Sequence, residues 1–162
     1  MDPRYEEFVA VETPRLLRVA YGLTGNPHDA WDLVQEALVR VGMKWCTVGD
    51  GNPGGYAHTT LVRLNIDRGR RLSRERLSGV LPDRDGPVRV DAVLDPDLIE
   101  ALRGLPKQQR AAVVLRALED LDHAGIAERL GCSVGTARSH LSRGLARLRE
   151  ILAEQEVSDH GA

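Results

Sequence analysis

The side chains best placed to do chemistry in this chain are donors and cations. Thr136, Arg138, Ser139, Ser142, Arg143, Arg147 and Arg149 fall between Ser133 and Arg149, and no acidic residue interrupts them. At helical spacing such a face suits a phosphate backbone, with the residues near the helix start reaching base edges in a major groove wide enough to admit one helix. A basic amphipathic helix packed on a neighbour, with its arginines merely solvated, is the competing reading. The context favours DNA. Apolar residues recur at helical spacing on both sides of a break, with Ile126, Ala127 and Leu130 before it and Ala137, Leu141, Leu145 and Leu148 after it. Between them, Gly131 can take positive φ to end one helix, and Ser133 can cap the next through its hydroxyl. A turn this short sends the second helix steeply across the first, as in a helix-turn-helix.

Other chemistry finds little support. Cys46 and Cys132 have no metal or redox spacing, and His28, His58, His123, His140 and His160 form no cluster, so no metal or other cofactor is expected. Walker, GxSxG, HExxH and Rossmann glycine patterns are absent, and an enzyme is not expected. The start, MDPRYEEF, is acidic and polar, and no later run approaches a membrane span. No membrane insertion and a cytoplasmic location are expected.

The elements that must position these groups are helices. With 162 residues, 42% hydrophobic and only 4% aromatic, the chain has enough Leu, Val, Ile and Ala for one medium or two small helical cores. Net charge is −2, but it is segregated: Glu6, Glu7, Glu12, Asp29, Asp32 and Glu36 lie in the opening third, against basic stretches at Arg63 to Arg76 and Arg138 to Arg149. Separate acidic and basic surfaces can meet different partners.

A first helix is expected from Pro3 to Leu23. A second follows from Pro27 to about Trp45, with Asp32, Gln35, Glu36 and Arg40 on its polar side and Trp31 beside them. A loop from Cys46 to Gly55 precedes a third helix that begins near Tyr56. That helix buries Leu61, Val62, Leu64 and Ile66 and carries Arg63, Arg68, Arg70, Arg71, Arg74 and Arg76. Prolines, glycine and aspartates break any long helix between Ser78 and Pro96, which reads as a flexible linker. Two amphipathic helices, Asp97 to Leu105 and Pro106 to Leu118, then lead into the helix-turn-helix. The expected fold is all-α: a domain over 1–77, a linker over 78–96, a second domain over 97–155 and a disordered tail over 156–162.

These blocks together resemble the sigma-70 family, in its extracytoplasmic-function group and most closely its compact actinobacterial type. The resemblance rests on LTGNPHDAWDLVQEALVRV (Leu23 to Val41), PGGY (Pro53 to Tyr56), IDRGRR (Ile66 to Arg71) and the long run from Leu102 to Arg149. It implies a sigma factor that binds the β and β′ subunits of core RNA polymerase and directs initiation at promoter DNA, with an anti-sigma factor as a possible further partner. By resemblance Asp32, Gln35 and Glu36 belong to the polymerase-docking face. Pro53 to Arg76 matches the segment that reads and melts the minus-ten element, with Tyr56, Arg63, Arg70 and Arg71 as candidate contacts. Ser133, Thr136, Arg138, Ser139 and Arg143 are the candidates for the minus-thirty-five element. Opened strands call for positive charge and pockets for extruded bases. Tyr56 as a core residue, with the arginines paired to Asp67 and Glu75, is the structural alternative for that stretch.

The sequence departs from the family pattern at several places. Trp31 stands where glutamate is usual, His58 and Thr59 where arginines are common, Arg63 where asparagine is, and Asn65 and Gly144 where alanine is. A mid-helix glycine such as Gly144 costs about 1 kcal/mol against alanine. Two other functions compete: a helix-turn-helix regulator of the LuxR type, which leaves the amino-terminal blocks without a role, and a sigma-like protein that binds partners without initiating.

Overall fold

The computed structural model describes residues 2–77 and 94–160, with 69–77 as helical backbone. Every regular element among the described residues is a helix. The first four are α1 (Pro3–Thr24), α2 (Pro27–Met43), α3 (Trp45–Val48) and α4 (Pro53–Leu77). Local chemistry sets their ends. Asp2 accepts from the Arg4 backbone N–H at 2.9 Å to start α1, and Gly25, at φ +66°, closes it. Asn26 accepts from the backbone N–H groups of His28 and Asp29 and leaves Pro27 in the first turn of α2. Asn52 does the same for α4, accepting from the Gly55 N–H at 2.9 Å. The expected loop over 46–55 is therefore shorter, because α3 takes its start and the cap at Asn52 draws the helix boundary back to Pro53. Leu16, Leu23, Leu33, Val34, Val41, Leu61 and Val62 are buried at the centre of this unit.

The second unit holds α5 (Pro96–Arg103), α6 (Lys107–Glu119), α7 (His123–Leu130) and α8 (Val134–His160). The turn between α7 and α8 is built as its residues require. Gly131 sits at φ +71° with its N–H on the Ala127 carbonyl at 2.8 Å, and Ser133 Oγ accepts from the Thr136 N–H at 3.1 Å. Gly144 has a packing reason: a Cβ there would lie 2.8 Å from Val113 Cγ2 and 3.0 Å from the Gln109 carbonyl oxygen. Only glycine lets α8 lie this close to α6. Helix α8 continues to His160, so residues 156–160, expected as a disordered tail, are helical. Most of the linker read over 78–96 lies outside the described residues, and Pro96 is already the first residue of α5.

The two units do not stand apart. One buried cluster runs from Leu16 and Leu61 through Ala101, Leu115 and Ile126 to Leu148. A Cβ at Gly22 of α1 would meet both Val114 methyls of α6 at 3.2 Å. Separate sequence blocks had pointed to two bodies on a tether. Periodicity identifies the buried face of each helix, but not which helix of another block covers it.

Candidate nucleic-acid and polymerase interfaces

Helix α8 divides cleanly between core and solvent. Ala137, Leu141, Gly144 and Leu148 are buried, while Thr136, Arg138, Ser139 and Arg143 face outward from the turns between them. Ser133 is exposed too, but its hydroxyl is committed to the cap, accepting from the Thr136 N–H and donating to Thr136 Oγ1 at 2.9 Å. Arg147 pairs with Glu150 at 3.0 Å. Among the described residues Arg138 and Arg143 have no ion-pair partner, which leaves their full donor sets to an anionic ligand. The face predicted from sequence is thus assembled on one side of one helix, at its amino-terminal end.

On α2, Gln35 is exposed and Asp32 and Glu36 are half-buried on the same side. Glu36 is shared between two arginines, Arg40 at 3.4 Å and Arg68 of α4 at 2.9 Å, so its charge is partly balanced within the fold. Beside it runs an apolar groove of about 530 Å³ between α1 and α2, lined by Tyr5, Val9, Trp31, Gln35, Leu38 and Val39. Val39 is 59% exposed. Burial raises the pKa of the Tyr5 phenol, whose hydroxyl donates to the Leu38 carbonyl at 2.7 Å. Sequence reasoning noted Trp31 but passed over Val39. The signal was present, since Val39 falls outside the buried stripe that Leu38 and Val41 define.

The third set lies on α4 and is differently placed. Tyr56 is half-buried against the core. Arg63 Nη2 donates to the Glu128 carbonyl of α7 at 3.1 Å. From the opposite side Arg129 Nη1 donates to the Gly55 carbonyl at 2.8 Å and lies 3.4 Å from Thr59 Oγ1. His58 is buried, with Nε2 at 3.2 Å from Glu12 and Nδ1 at 2.6 Å from Glu119. This stretch of α4 therefore faces the second unit. The side chains of Arg70 and Arg71 lie outside the described residues.

No three His, Cys, Asp or Glu side chains among the described residues are grouped to hold a metal ion, and Cys46 and Cys132 are free thiols. No described helix is long and apolar enough to cross a membrane.

Comparison with known proteins adds a family. The family model described as Sigma-70 region 2 matches residues 8–75, and that described as Sigma-70, region 4 matches residues 96–148. The chain is 37% identical over 161 residues to the ECF RNA polymerase sigma factor SigE of Mycolicibacterium smegmatis, covering 94% of this chain and 63% of that protein. It is 35% identical over 159 residues to the RNA polymerase sigma-E factor of Streptomyces avermitilis, covering 94% and 87%. Among solved structures, the sigma factor RpoE of Bartonella quintana, in complex with the anti-sigma factor NepR, superposes with a TM-score of 0.74 at 27% identity, over 92% of this chain and 96% of that one. Two matched regions in one order, with relatives aligned along nearly the whole chain, lead to one conclusion: this chain belongs to the sigma-70 family of RNA polymerase sigma factors, in its extracytoplasmic-function group.

Proposed function

We propose that the chain is a dissociable initiation factor that binds core RNA polymerase and directs it to promoter DNA. Its first unit docks on the polymerase through the α2 face of Asp32, Gln35 and Glu36, and opens the minus-ten element with α4, where Tyr56, Arg63, Arg70 and Arg71 hold the displaced strand. Its second unit reads the minus-thirty-five element with Arg138 and Arg143, while Thr136, Ser139 and the capped turn at Ser133 set α8 on the phosphates. Bond-forming chemistry stays with the polymerase, and the factor works beside it in the cytoplasm. An anti-sigma factor, the class of protein seen with the Bartonella quintana relative, is a further partner in this reading.

The observation that carries the proposal is the split face of α8, where Arg138 and Arg143, without an ion-pair partner among the described residues, stand over a buried small-residue and leucine stripe. A merely structural basic helix would pair or cover those cations. Run-off transcription with purified core polymerase and a promoter library tests the proposal directly. Factor-dependent transcripts from a restricted set of promoters are expected. Core binding without any transcript would instead favour a partner-binding protein, and DNA binding without core binding would favour a simple helix-turn-helix regulator.

A further inference from the structure

The packing of the two units leaves the two DNA-facing helices in unequal states. Helix α8 packs on α5, α6 and α7, and its outer side stays open, with Thr136, Arg138, Ser139, Ser142 and Arg143 all exposed. Neither Arg138 nor Arg143 has an ion-pair partner among the described residues. Beside this row, a recess of about 360 Å³ between the start of α7 and the middle of α8 is walled by His123, Arg138, Ser142 and Arg149 around Leu141 and Leu145. A deoxyribose can lie on the leucines while its phosphate meets the arginines, and no carboxylate lines the recess to repel it.

Helix α4 is in the opposite condition. An opened strand needs its unstacked bases turned into protein pockets and its backbone laid on uncommitted cations. Here the end of α7 stands against that face. Arg129 Nη1 donates to the Gly55 carbonyl and lies 3.4 Å from Thr59 Oγ1, while Arg63 is held on the Glu128 carbonyl. The packing that sets α7 there is extensive. Leu16 and Leu61 of the first unit share one buried cluster with Ala101, Leu115 and Ile126 of the second, and Arg110 of α6 donates to the Leu23 carbonyl of α1 at 2.8 Å. The free chain is therefore one body that presents one DNA face and covers the other.

Reading a duplex with an inserted helix asks for nothing that α8 lacks in this body. The turn that sets its angle is closed locally, by the Gly131 N–H on the Ala127 carbonyl and by Ser133 Oγ on the Thr136 N–H, so it does not wait for a partner. We infer that the free factor has an activity of its own: sequence-selective binding of double-stranded DNA through α8 without polymerase, with no uptake of single strands by α4. That the selected sequence is the upstream promoter element rests on the initiation reading; the preference for duplex does not.

Selection from a random-sequence duplex library tests this, with the full chain alone and, in parallel, with its complex with core polymerase. The free chain is expected to enrich one short motif, identical to the upstream half of what the holoenzyme enriches. In fluorescence anisotropy a duplex carrying that motif should bind the free chain about tenfold or more tighter than a scrambled duplex, the discrimination expected of one bidentate arginine contact. Arg138→Ala combined with Arg143→Ala should abolish the difference, and since both side chains are exposed the double variant should keep the parent's circular dichroism. Single strands carrying the downstream half of the holoenzyme motif should bind the free chain no better than scrambled strands. A free chain that binds all duplexes alike, beside a holoenzyme that selects its upstream half through the same arginines, overturns the inference and leaves the initiation reading standing. A free chain that prefers the downstream single strand overturns it too. A motif enriched by the free chain, with no transcript started when polymerase is added, upholds the duplex-binding activity and sinks the initiation reading.

Discussion

Arg63 Nη2 donates to the Glu128 carbonyl at 3.1 Å, so a cation of the first unit closes the carboxy-terminal turn of α7 in the second. The last four carbonyls of a helix lack intrahelical partners and carry its negative dipole end. The reverse contact exists as well. Arg103 donates to the Gly25 carbonyl and Arg110 to the Leu23 carbonyl, at the carboxy-terminal end of α1, the latter at 2.8 Å. Each unit thus supplies arginines to a helix end of the other. Arg110 does most, reaching the Leu102, Arg103 and Leu105 carbonyls besides. Burial, with Arg103 close by, lowers its pKa.

Arg63 is consequently committed to the end of α7 in the free chain. In the free protein Arg63→Ala should cost little stability, about 0.3–1 kcal/mol for one exposed cation at a helix end. In the holoenzyme the consequence should be larger. Permanganate reports unpaired thymines, and a factor with alanine at Arg63, Arg70 and Arg71 should leave a cognate promoter much less reactive than the parent does. Undiminished reactivity would make these arginines structural.

The docking assignment predicts a different readout. Interfaces concentrate energy in few residues, so Asp32→Lys should weaken binding to core polymerase by more than about 2 kcal/mol if Asp32 is a hot spot. The apolar groove beside it gives a second probe. Val39→Glu places a charge at the exposed rim and should weaken binding without unfolding the protein, since Val39 is 59% exposed. Titration of labelled factor against core enzyme measures both, and unchanged affinity in both would move the docking site elsewhere.

Local signals in the sequence were reliable where the physics is local. Pro27 in a first turn, Gly131 with Ser133 and the leucine spacing of α8 each determine a helix start, a turn or a buried stripe within a few residues, and each appears as its chemistry requires. The closure of the two units was not legible. It depends on pairs such as Gly22 with Val114 and His58 with Glu119, which are far apart in sequence and have no periodic signature. His58 was visible as a departure from the family pattern, yet its contact with Glu119 of α6 arises only in the folded chain. Gly144 was read as a propensity cost because its reason, the approach of Val113, also lies in another helix.

That approach makes Gly144→Ala informative. Propensity alone predicts a gain of about 1 kcal/mol from alanine. The added Cβ would stand 2.8 Å from Val113 Cγ2 and 3.0 Å from a backbone oxygen that cannot rotate away. Overpacking of this kind costs about 1–3 kcal/mol. The expected outcome of urea unfolding is a net loss of stability, up to about 2 kcal/mol. A more stable alanine variant would mean that α8 can shift from α6 at little cost.

Arg138 and Arg143 allow the two modes of DNA contact to be separated on one helix face. Both are exposed near the start of α8, and their donors are uncommitted among the described residues. An arginine that grips a guanine edge contributes about 1–3 kcal/mol of discrimination between bases, whereas one on a phosphate mainly sets the salt dependence of binding. Arg138 lies nearer the helix amino terminus, where base edges are usually reached. Arg138→Ala should therefore flatten the preference among upstream-element variants at fixed salt. Arg143→Ala should weaken holoenzyme binding about equally for all of them and reduce the salt slope by about one. Holoenzyme affinities for a set of single-base promoter variants, each measured across a salt series, distinguish the two. If both substitutions leave the preference and the slope unchanged, α8 is not the helix that reads the promoter.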